Sequence, residues 1–107
     1  MDKYLPQVGE HLYLRQYTTD CWINDVRHPY TVISVKPNEV LVQECKLIFN
    51  GPRYYDTIAD DIQEDPNGRI VTLIWGPKNG RWQEKGMANC YPLCAVFGKW
   101  EHAPYLN

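Results

Sequence analysis

The stretch Arg27 to Glu44, RHPYTVISVKPNEVLVQE, restricts the fold more than any other part of this chain. Two aliphatic, β-branched runs flank Lys36-Pro37-Asn38-Glu39. Pro37 presets φ at the second turn position and Asn38 tolerates the third, so the chain reverses here. The reading is a β-hairpin with Val35 opposite Val40 and Ile33 opposite Val42. Those four aliphatic side chains then share one side of the ribbon, and that side requires a core.

The rest of the chain reads as more strands joined by turns. Residues 1–9 form an irregular arm, and His11 to Tyr17 is a first strand. Thr18 to Val26 is a long loop that tucks Trp22 and Ile23 beneath it, and Pro29 requires a strand start or an edge. The second hairpin arm is expected to run on through Cys45 to Phe49 until Asn50-Gly51-Pro52 stops it. Arg53 to Ile58 then resumes as a strand. Asp65-Pro66-Asn67-Gly68 is the strongest turn signal, leading to a strand over Ile70 to Trp75. Gly76 to Gly80 reverses the chain into Arg81 to Lys85, which Gly86 closes, and Leu93 to Trp100 is a last buried strand. Tyr55 to Gln63 is the best helical candidate, with Ile58 and Ile62 four apart, but it is β-branched and uncapped. Turn signals at this spacing predict an all-β single domain over 1–107: a small antiparallel barrel or strongly bent sheet, SH3-like, of about six to eight short strands.

Eleven basic against thirteen acidic residues give a net charge of −2. That balance argues against holding duplex nucleic acid through many phosphate contacts. No window approaches the ~20 apolar residues of a membrane span, and the opening Met1 to Pro6 lacks the apolar run of an export signal, so a soluble cytosolic protein is expected. In that compartment Cys21, Cys45, Cys90 and Cys94 are expected to be reduced. Cys90 and Cys94 are the one close pair, too few for a zinc site, and neither metal nor other cofactor is expected.

In order and spacing, Arg27 to Val32 through Val40 to Gln43, Tyr54-Tyr55, Asp65 to Gly68, Gly80-Arg81-Trp82 and Phe97 to Trp100 resemble a family of small uncharacterised proteins carried by bacteriophages and prophages. The resemblance spans most of the chain. It implies a phage protein working in a bacterial cytoplasm, and it transfers no catalytic residue.

Chemistry is hard to find in the pattern. Asp56, Asp60, Asp61, Glu64 and Asp65 lack calcium-loop spacing and read as a solvated acidic face. His11, His28 and His102 have no nearby nucleophile and acid in a recognised arrangement, so no enzyme is expected. Eight Tyr and four Trp against two Phe favour rings with a polar handle. The rings and bases Tyr17, Trp22, Arg27, His28, Tyr30, Arg53, Tyr54, Tyr55, Trp75, Arg81 and Trp82 therefore hold the candidate surface, with Arg27, His28, Tyr30, Arg53, Tyr54, Tyr55, Trp75 and Trp82 as its binding residues. If Tyr54 and Tyr55 lie on a strand, alternation forces one of them outward. The expected function is that of a non-enzymatic phage protein engaging a host protein, such as part of a defence system, through this aromatic and polar surface. A nucleotide or small-ligand binder is the first alternative and needs a concave aromatic pocket with convergent Arg or Lys. A single-stranded nucleic-acid binder is the second, and the net charge weighs against it.

Overall fold

The computed structural model describes residues 3–16, 27–54, 57–76, 80–86 and 93–103, and among them there is no helix. The described residues form eight strands: β1 (His11–Gln16), β2 (Arg27–Val35), β3 (Val40–Glu44), β4 (Lys46–Ile48), β5 (Asp61–Gln63), β6 (Ile70–Gly76), β7 (Arg81–Glu84) and β8 (Leu93–Phe97). Six close into a barrel in the order β1-β2-β3-β6-β7-β8, while β4 and β5 form a separate two-stranded sheet. Every pairing is antiparallel. The chain is all-β, a small antiparallel barrel as the turn spacing predicts.

The β2–β3 hairpin forms with Val35 opposite Val40, and the Lys36 amide donates to the Glu39 carbonyl at 2.8 Å. One expectation fails two residues further on. The register shifts between Val32 and Ser34, so Val42 faces Val32 and not Ile33. A bulge of this kind inserts one residue and reverses the parity of everything beyond it. Val32 is consequently 1% exposed in the core, while Ile33 is half-buried beside a cleft also lined by Val8 and Pro66. Inside the barrel Leu12, Leu14, Tyr30, Val32, Val40, Val42, Val71, Leu73 and Trp82 pack together.

The second hairpin arm does not continue to Phe49. It ends at Glu44, whose amide pairs with the Arg69 carbonyl, and Cys45 turns the chain into the β4–β5 sheet. The strand expected over Arg53 to Ile58 is also absent from its described residues. There the Thr57 amide donates to the Tyr54 carbonyl at 3.1 Å and the Tyr54 amide to Thr57 Oγ1 at 2.8 Å. A side chain that offers the backbone a local partner favours such a turn over a ladder. Around Asp65 to Gly68 the turn forms as read, with the Gly68 amide on the Asp65 carbonyl and the Asn67 amide on Asp65 Oδ1, both at 2.9 Å. The last strand stops at Phe97 and not Trp100, because Gly98 turns out of it at φ 108°.

Candidate functional site

An antiparallel barrel gathers alternate strand ends at each mouth. At the first mouth are the start of β2, the end of β3 and the residue before β6. His28 and Tyr30 continue the inward parity of Val32, Glu44 that of Val40 and Val42, and Arg69 that of Val71 and Leu73. Their heads meet around one carboxylate. Tyr30 Oη donates to Glu44 Oε2 at 3.3 Å, Arg69 Nη2 donates to Tyr30 Oη at 2.9 Å, and His28 Nε2 stands 3.6 Å from Glu44 Oε2. Burial pushes the His28 imidazole below its ordinary pKa and the Tyr30 phenol above its own.

Beside this group, His102 lies edge-on to His28 at 6.1 Å and to Phe49 at 6.0 Å, and the Arg53 guanidinium caps Phe49 at 4.3 Å. The Ala59 amide donates to His102 Nδ1 at 3.0 Å, which fixes the neutral ring with its proton on Nε2. Burial lowers the His102 pKa, and the nearby His28 and Arg53 add to the effect. Arg27 pairs with Glu101 and stands 5.7 Å over the Tyr13 ring. Tyr30, Glu44 and Arg69 thus satisfy one another, with His28 packed alongside, as a plug that closes a barrel end.

The second mouth differs. The arm over residues 3–10 crosses it, and Trp82 Nε1 donates to the Tyr4 carbonyl at 2.6 Å. Tyr4 Oη donates to Glu10 Oε2 at 2.6 Å, and the Gln7 amide to Glu10 Oε1 at 3.1 Å. Between arm and strands a cleft of about 350 Å³ is lined by Tyr4, Glu10, Trp75, Trp82, Ala95 and Phe97. The Tyr4 and Phe97 rings are 5.1 Å apart, and Trp75 meets Trp82 edge-on at 5.7 Å. Trp82 is 1% exposed and forms the back wall, Trp75 and Phe97 are half-buried, and Tyr4 is 49% exposed. The cleft follows the weakest seam of the barrel, since among the described residues β7 and β8 pair at a single position, Gln83 with Cys94.

The candidate residues are therefore divided. Arg27, His28, Tyr30 and Arg53 gather at the polar mouth, and Tyr30 has its ring in the core at 1% exposure. Tyr54 is 69% exposed on its turn, while Tyr17, Trp22 and Tyr55 lie outside the described residues. Trp75 and Trp82 are at the cleft, with Arg81 at its rim. Glu44 and Arg69 were readable from strand parity. Tyr4, Glu10 and Phe97 were not, because no local pattern reveals that the arm crosses the barrel.

Cys45 and Cys94 are buried, and burial raises both thiols, the opposite of what activates a nucleophile. Cys21 and Cys90 lie outside the described residues. No group of three or more metal-ligating side chains is present among the described residues, and no helix among them is long and apolar enough to cross a membrane. Comparison with protein-family models, curated proteins and solved structures finds no match.

Proposed function

We propose that this chain is a non-enzymatic binding protein, encoded by a phage as the sequence resemblance implies, which engages a protein of its bacterial host through the cleft at the arm-covered mouth. The observation that supports it is the gathering of Tyr4, Trp75 and Phe97, from three distant parts of the sequence, around one concavity. Rings that are partly exposed in a concave setting are the usual anchors of recognition. The polar mouth offers less, since its heads are already engaged with each other.

Immobilised full-length protein tests this against host lysate. The expected result is retention of a host protein that falls by about 30-fold for Tyr4→Ala, the loss of a strong anchor, and is unchanged for Tyr54→Ala. Equal retention by Tyr4→Ala overturns the assignment. The size of the cleft favours a second reading, because about 350 Å³ lies within the range of small-molecule pockets. Thermal stabilisation by a nucleotide, absent in Trp75→Ala, would select it.

A further inference from the structure

If the cleft is a binding surface, as proposed above, its lining sets what it can take. We infer that it takes an alkylated ammonium group. An aromatic ring presents negative potential at its face, so several rings around one space favour a cation. Here Tyr4, Trp75 and Phe97 are accessible, with Trp82 behind them. Glu10 adds a full negative charge to the same lining, held in place by the Tyr4 hydroxyl and the Gln7 amide. Donation into that carboxylate raises the Tyr4 pKa and leaves its ring electron-rich.

The protein's own cations are arranged consistently. The Lys3 ammonium, which donates to the Pro37 carbonyl, sits over the Trp82 ring at 5.4 Å, so the ring at the back of the cleft already accepts a cation. Arg81, exposed at the rim, stands close enough to Cys94 to draw its thiol pKa down against the larger upward effect of burial. A ligand anion would meet the Glu10 carboxylate and the rings, with Arg81 the one cation among the described residues of the lining. A bare ammonium carries three N–H donors and strong hydration, and one carboxylate cannot replace that. Alkylation removes the donors and leaves the charge, which suits a site of several rings and one acceptor. Room for the alkyl groups comes from Ala95 and from Gly98, where no side chain projects.

The same chemistry is found in choline and in trimethyllysine, and the experiment separates them. Titrating the full-length protein with choline, with its neutral isostere 3,3-dimethylbutan-1-ol, and with peptides carrying lysine or trimethyllysine is followed by tryptophan fluorescence and the Gly98 amide resonance. The expected result is that the alkylated cations bind about tenfold tighter than the isostere and the unmodified lysine peptide. Tighter binding of choline identifies a small-molecule source, and tighter binding of the trimethyllysine peptide a protein source. Glu10→Gln and Phe97→Leu, each checked for an unchanged thermal transition, should weaken choline about fivefold or more. The inference is overturned if the isostere binds as well as choline, or if neither alkylated cation gives a saturable signal. Should that happen while Tyr4→Ala still abolishes host-protein capture, the binding reading stands and only the cation preference is lost.

Discussion

Placing Val32 inside the barrel and Ile33 at the margin, as the bulge does, can be tested by giving both positions the same side chain. Threonine keeps the branching at Cβ, so strand propensity is nearly held constant and packing decides the outcome. At Val32, 1% exposed and facing Val42, the change exchanges a methyl for a hydroxyl in a site closed to solvent. Losing the methyl costs about 0.8 kcal/mol of transfer free energy, and burying a hydroxyl without a partner adds about 1–3 kcal/mol. Val32→Thr should therefore destabilise by about 2–4 kcal/mol. Ile33 borders an open cleft, where water can reach the new hydroxyl and no sealed cavity is left. Ile33→Thr loses an ethyl group, but from a half-buried site, so it should cost about 1 kcal/mol. Urea unfolding of both variants, with unchanged m-values, gives the comparison. If Ile33→Thr costs more than Val32→Thr, the hairpin pairs in the uninterrupted register and the bulge is refuted.

Other consequences can be measured as directly. A Cβ on Gly68 would lie 2.0 Å from the Glu44 carbonyl oxygen, so Gly68→Ala should cost about 2 kcal/mol or more, whereas Gly51→Ala, with nothing near, should be neutral in the same denaturation assay. Trp82→Phe removes the donor to the Tyr4 carbonyl and leaves a void in the core; a loss of about 2–3 kcal/mol and faster amide exchange in the arm over 3–10 are expected. The folded-state pKa values of His28 and His102 are both lowered, so the unfolded chain binds more protons below the unfolded value of about 6.5. Stability should therefore fall as pH drops through that region, and His102→Asn, which keeps an acceptor for the Ala59 amide, should flatten the fall in thermal melts recorded across it.

What was legible in the sequence was local. Pro37 and Asn38 fixed one reversal and Asp65 to Gly68 another, because turn geometry depends on a few adjacent residues. The inward rows 40, 42, 44 and 69, 71, 73 could be counted from the turns outward. The bulge at Ile33 left no such trace, since Val32 and Ile33 are both β-branched and either parity buries an aliphatic side chain. Tyr54 defeated the alternation argument for a different reason, as the Thr57 hydroxyl captured its amide. The cleft depends on contacts between Tyr4 and residues more than seventy positions away, so composition could suggest rings but not which of them meet.

The single paired position between β7 and β8 has a consequence for the protein's mechanical behaviour. Around the rest of the barrel each strand is joined to its neighbour by four or five paired positions. Parting β7 from β8 would convert a closed surface into a six-stranded ribbon with two free edges. Under tension, or on warming short of global unfolding, the barrel should unroll along this line first, with every other strand pair intact. The unrolled form offers unpaired backbone to another molecule of the same kind, so self-association under stress should begin at β7 and β8.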